Sequence, residues 1–292
     1  MRPPRALPFI ILTLLTLVLA ARIFAADSTL LETYAKGSID WQQGEIQVVG
    51  YGRYDSFLPE FPEAAARRRA IRAARADAWR NALEVAAHVR IHGDTDFGRL
   101  IGDGDLPLAA VQQYLSVGRF DEPIFSADGI CSVIYRVPLA NLAMLLPATG
   151  HRRAGKPFAT APDNAPMAPM APFAYTGIII DARRTGAQPA LYPHIFDNDG
   201  YLLYAPAPGT VPADDYDHEP TTAILYSASL EQALTLSRIG NNPLLLRAAS
   251  AIEAGGGAAT DLVLGYRAAR AFRAALIQSD IRAKRAVVIV IH

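Results

Sequence analysis

The chain of 292 residues holds a single cysteine, Cys131, so no disulfide can close within it and its stability has to come from packing. It also lacks a run long enough to cross a bilayer. Its most apolar stretch, Leu7 to Ala21, covers about 15 residues, where a spanning helix needs about 20. Motif-borne catalysis is missing as well. The chain has no GxSxG elbow, no SxxK with its usual partners and no HExxH, and the triplet Gly255 to Gly257 is not followed by the Lys and Ser/Thr of a phosphate loop. These absences leave no catalytic, cofactor-binding or metal-binding residue to nominate, and the expectation is a protein that is not an enzyme and needs no cofactor.

What is present begins with an address. In residues 1–25, MRPPRALPFIILTLLTLVLAARIFA, Arg2 and Arg5 precede the apolar run and Ala25 closes a cleavage site, the build of a secretory signal peptide. A periplasmic protein is the expectation. Ile23 stands three residues before the cut, where a small residue is usual, so a failed cut would turn the segment into a tether. No cysteine follows the apolar run, which argues against a lipid anchor. Removing 1–25 takes Arg2, Arg5 and Arg22 from the 28 basic residues and none of the 28 acidic ones, leaving a net of about −3. That balance argues against nucleic acid as a partner.

Composition divides the remainder. Residues 148–172 contain HRRAGKPFATAPDNAPMAPMAP, whose prolines and alanines sustain neither a helix nor a central strand, and read as a semi-rigid linker. Upstream, 37–147 forms an expected N-terminal domain; downstream, 173–292 forms a C-terminal one. In the first, EIQVVGY (45–51) alternates polar and apolar as a half-buried strand does. A long helix follows, entered at Pro62 and Glu63, with Ile71, Ala74, Ala78, Ala82, Val85 and Val89 recurring at helical spacing. AVQQYLSVGRF and ADGICSVIYRVPL then read as strands. In the second, YTGIIID, the hairpin ALYPHIFDNDGYLLY, Ala223 to Ser227, Leu244 to Ala251 and AVVIVI read as strands, and Asp261 to Ala275 as a helix. The expected class is α+β: two small domains, each a mostly antiparallel sheet packed by one or two helices.

Several polar groups invite a functional reading. Arg67, Arg68, Arg72 and Arg75, with Arg69 among them, crowd the start of the long helix and form a candidate interaction surface for anions, against the simpler reading of a solvated helix face. His88 and His92 stand four apart, but no third ligand completes a zinc site. Asp197 to Gly200 (DNDG) lacks the later oxygens of a calcium loop and reads as a hairpin turn. ADDYDHE (213–219) reads as a solvated acidic loop, and Cys131 as a small buried hydrophobe. Asp181, Arg183, Asp197 and Asp199 flank two strands and would make a ligand-binding or hydrolytic site at the domain interface if they converged at one sheet end.

Two segments carry a family resemblance. GSIDWQQGEIQVVGYGRY followed by AAARRRAIRAARADAWRNALEVAAHVRI resembles exported bacterial proteins of the LPP20 lipoprotein type and the related flagellar assembly protein T. YTGIIIDARRTGAQPALYPHIFDNDGYLLY and the closing RAVVIVIH look like the C-terminal part of long members of that group. The resemblance implies a non-catalytic accessory protein of the periplasm or outer membrane, in some relatives part of the ring around the flagellar motor. The partners it implies are cell-envelope proteins, flagellar basal-body components among them. Peripheral membrane contact and oligomerisation stay open.

Overall fold

A computed structural model of the chain describes residues 30–53, 63–93, 95–146, 174–206, 224–253, 257–278 and 280–291. The signal-like segment 1–25, the linker 148–172 and the acidic run 213–219 lie outside them.

The first half opens as a meander of β1 (Leu31–Tyr34), β2 (Gly37–Asp40) and β3 (Glu45–Arg53), so its sheet starts ahead of residue 37. Helix α1 (Glu63–Ala86) follows, then β4 (Arg90–His92), β5 (Thr95–Asp96), α2 (Phe97–Gly102) and α3 (Leu108–Leu115). Short strands β6 (Arg119–Phe120) and β7 (Ile124–Phe125) lead to β8 (Ile130–Pro138) and α4 (Leu139–Ala143). The sheet runs β1-β2-β3-β8-β6, with β7 also paired to β8, and every pairing is antiparallel.

Small residues set how α1 meets this sheet. Ala70, Ala74, Ala78 and Ala82 are fully buried against β3 and β8. The approach is so close that a Cβ on Gly50 would stand 2.1 Å from the Ala74 carbonyl oxygen, and one on Gly52 2.1 Å from that of Ala70. Only glycine admits the helix backbone there. Beyond Val48, β3 has no strand on its β2 side among the described residues, and α1 supplies partners there: the Tyr51 amide donates to Asp77 Oδ2 at 3.0 Å and Asn81 Nδ2 donates to the Val49 carbonyl at 2.8 Å. An exposed edge is thereby satisfied by side chains.

The second half comprises β9 (Gly177–Asp181), β10 (Ile195–Asp197), β11 (Leu202–Tyr204), β12 (Leu225–Ser227), α5 (Leu230–Thr235), a 3-10 turn (Ser237–Ile239), β13 (Pro243–Glu253), β14 (Ala259–Leu264), α6 (Tyr266–Gln278) and β15 (Val287–Val290). Its sheet runs β11-β10-β14-β13-β9-β15-β12. Both halves are α+β, but this sheet is mixed rather than mostly antiparallel: four of its six pairings are parallel. Parallel neighbours require long crossovers and cover on both faces. Here Ile178, Ile180, Val287 and Ile289 face the main core, while Ile179, Val288 and Val290 face a second cluster with Ala233 and Ile239.

Three local expectations are corrected. AVQQYLSVGRF (110–120) is a strand only at its end, Arg119–Phe120; its first part belongs to the helix Leu108–Leu115, because Val111 and Leu115, four apart, are the residues that helix buries. Asp261 does not begin a helix: Leu262 and Leu264 alternate into the core as β14, and the helix starts at Tyr266. Helix α1 ends at Ala86, so His88 sits in the following turn and His92 in β4 rather than on one helical face.

The halves share one hydrophobic cluster. The Leu191 amide donates to the Arg90 carbonyl at 3.0 Å, the Tyr192 amide to Ile91 at 2.9 Å, and the Tyr192 hydroxyl to the Ala143 carbonyl at 2.7 Å.

Candidate functional site

The spacing 68, 72, 75 puts three arginines on one ridge of α1. Arg75 lies over the Phe120 ring at 5.1 Å and Arg67 over Phe125 at 4.4 Å, which fixes both guanidinium groups along the β6–β7 side of the sheet. Arg67 also pairs with Glu63 at 3.4 Å. Arg68 and Arg72 project into solvent, and neither takes part in a hydrogen bond or ion pair among the described residues. Arg68, Arg72 and Arg75 thus share one helix face, with Arg67 at its sheet-side border.

The opposite face of the same sheet is open. Alternation along β3 sends Ile46, Val48, Gly50 and Gly52 toward α1 and Val49, Tyr51 and Arg53 away from it. Register places Tyr51 beside Ser132 and Ser132 beside Ile124, with Val49 opposite Ile134 and Arg53 opposite Ile130. Tyr51 is 59% exposed and Ile124 62%. Arg136, paired with Glu45 at 2.7 Å and Asp121 at 3.2 Å, forms the polar border of this apolar patch. Its guanidinium is held above its ordinary pKa chiefly by the Glu45 hydrogen bond.

The acids proposed to converge do not. β13 runs parallel to β9, β14 opposes β13, and β10 runs parallel to β14, so β10 runs against β9. Their carboxyl ends, at Asp181 and Asp197, consequently fall at opposite ends of the sheet. Asp181 is tied to Arg183, whose Nε donates at 2.8 Å and whose NH2 group donates at 2.9 Å. Those hydrogen bonds hold its carboxyl below the usual range. Asp197 accepts from the amides of Asp199 and Tyr201 at 3.0 and 2.9 Å and pairs with Arg273 of α6. With Gly200 at φ +81°, DNDG is the hairpin turn between β10 and β11.

Sequence reasoning missed the polar seam between the halves. Glu32 accepts from the Tyr34 hydroxyl at 2.7 Å, from Trp41 Nε1 at 2.8 Å and from Arg90, whose Nε donates to the Pro189 carbonyl at 2.9 Å. Burial, with Glu32 alongside, pushes the Tyr34 phenol well above its ordinary pKa. His88 stacks on Tyr34 at 4.6 Å, and Trp41 meets Tyr226 edge-on at 6.1 Å. Nearby, the buried Asp261 accepts from the His194 amide at 2.9 Å and lies 3.5 Å from the His194 imidazole. His92 stands 5.6 Å from that ring, and the Gly93 amide donates to Thr260 Oγ1 at 2.6 Å. His194 and Asp261 are 4% and 5% exposed, and their neighbours His92 and Gly93 make this cluster a junction of the halves. The available signal was a charged or imidazole residue inside an apolar strand run, as in PHIFD.

Cys131 is buried, and burial raises its thiol pKa. Among the described residues no group of three His, Cys, Asp or Glu is placed to hold a metal ion, and no helix is long and apolar enough to cross a membrane.

Fold and surface thus define a two-part α+β protein with an arginine ridge on one side of its first sheet and an apolar face on the other. A family described as Treponema pallidum Tp0624, second domain, matches residues 177–292, the span from β9 onward and less than half of the chain. Over that span the chain is similar to that domain. Comparison with curated proteins finds no match.

Proposed function

We propose that the protein is a non-enzymatic accessory or assembly protein of the bacterial cell envelope, exported by residues 1–25 and acting through protein–protein contacts. The observation that carries this reading is the open face of the first sheet, where Tyr51, Ile124 and Ile130 stand exposed beside Val49 and Ile134. Contiguous apolar surface with an aromatic anchor and a polar border is the composition of a protein-binding patch. The resemblance to LPP20-type and flagellar assembly T-type proteins supplies the class of partner: envelope proteins, with the flagellar base as the specific version.

A photo-crosslinking residue in place of Tyr51, activated in cells, tests the reading. An envelope protein captured there, and lost on Ile124→Ala, is the expected result. A strictly monomeric protein that captures nothing sinks it. Gene deletion that leaves motility unchanged removes the flagellar version alone.

A further inference from the structure

We infer that the ridge Arg67, Arg68, Arg72 and Arg75 is a docking surface for the phosphate groups of an anionic membrane, so that the first half faces lipid with α1 and a protein partner with the far side of its sheet. The start of α1 concentrates charge of one sign. Between Glu63 and Ala76 the helix carries five arginines and one acid. They lie toward its amino end, where the helix dipole already favours negative charge, and Arg68 and Arg72 repel each other at i,i+4. Asp77, the next acid, is committed to the Tyr51 amide and to Arg80 at 3.1 Å. Arg68 and Arg72 have no partner among the described residues. An external anion would complement Arg68 and Arg72.

Its form selects the kind of anion. A protein partner would require a shaped, apolar anchor point; among the described residues none of the exposed large apolar side chains of this half lies on α1, and Tyr51, Ile124 and Ile130 are on the opposite face of the sheet. The ridge offers planar guanidinium forks, two of them held in place over Phe125 and Phe120 and therefore ordered before binding. Rows of phosphate in a membrane surface match that pattern without needing a pocket. The net charge of about −3 does not oppose it, because at physiological salt a surface charge acts over only about 8 Å.

The test uses the protein purified from the envelope in its natural processed form, with vesicles of phosphatidylglycerol in phosphatidylcholine against phosphatidylcholine alone. Binding to the anionic vesicles only, lost as NaCl is raised, is expected. Arg68→Gln/Arg72→Gln should weaken it about thirty-fold, whereas Arg53→Gln/Arg119→Gln on the other face should change it less than about three-fold. Unchanged far-ultraviolet circular dichroism shows that the variants fold. Equal binding to both vesicle types, or a double variant that binds like the wild type, overturns the inference. So does binding to polyglutamate without vesicle binding, which would make the ridge a site for acidic protein. Crosslinking through Tyr51 reads the opposite face, so the envelope-partner reading and this one fail separately.

Discussion

The two sheets are built from similar amounts of Val and Ile but are covered differently. In the first, α1 lies on one face of β3 and β8 while the other keeps Tyr51 and Ile124 in solvent. In the second, the central strands β9 and β15 are buried on both faces, with Ile178 and Ile289 toward the main core and Ile179 and Val288 toward α5 and the 3-10 turn. The difference follows from strand direction. Antiparallel neighbours need only short turns and can leave a face wet, whereas parallel neighbours carry crossovers that cover both sides. A face left open is available for contact, and a sheet covered twice is core.

Placing the same charge in each sheet breaks the comparison most sharply at Ile289→Asp. A carboxylate buried in β15 costs several kcal/mol, and loss of the cooperative thermal transition, followed by circular dichroism, is the expected outcome. Gly50→Ala tests the close approach of α1: the added methyl meets helix backbone at 2.1 Å and should cost about 3 kcal/mol in urea-unfolding free energy. A shift below 1 kcal/mol would show that the helix can retreat. Glu32→Ala leaves Trp41, Arg90 and Tyr34 without their shared acceptor, and about 2 kcal/mol should be lost. Hydrogen exchange should then accelerate first at the Leu191 and Tyr192 amides, which bridge the halves.

Asp181 gives a smaller, pH-dependent effect. Its native pKa lies below the usual value, so its stabilisation is fully present above the unfolded value of about 3.9 and is lost as pH falls through the lowered native value. Asp181→Asn should therefore lower the urea midpoint at pH 7 and converge on the wild type as pH falls through the lowered native value. A difference that stays constant as pH is lowered would assign the effect to packing. Least affected should be Ile124→Asp, whose side chain is already in solvent: its melting temperature should stay within about 2 °C of the wild type while contact through the open face is lost.

Much of the local structure was legible because it depends on neighbours in the chain. The alternation of EIQVVGY gave β3, the alanine spacing gave α1, and Asn198 to Gly200 gave the β10–β11 hairpin. Where two local patterns compete, the reading failed: AVQQYL carries a β-branched residue and an aromatic yet is helical, and ATDLVL contains helix formers yet is β14. The continuous apolar runs GIIID and VVIV fit strands buried on both faces, as parallel strands are, yet the sheet expected here is mostly antiparallel, because neither run contains the partners that set its direction.

The arginine ridge was visible from spacing alone, since residues 68, 72 and 75 share a helix face whatever the helix packs on. Its two sides were not: that Arg67 and Arg75 rest on Phe125 and Phe120 depends on β6 and β7, some 50 residues away in the chain, folding beneath α1. The same holds for the polar seam, where His92 meets His194 and Arg90 meets Glu32 only because the halves dock. Side-chain chemistry and local periodicity were written into the chain, as were the elements they build. Strand direction, which parts Asp181 from Asp197 and leaves Tyr51 exposed, arose from long-range pairing, whose energy belongs to contacts that no local stretch contains.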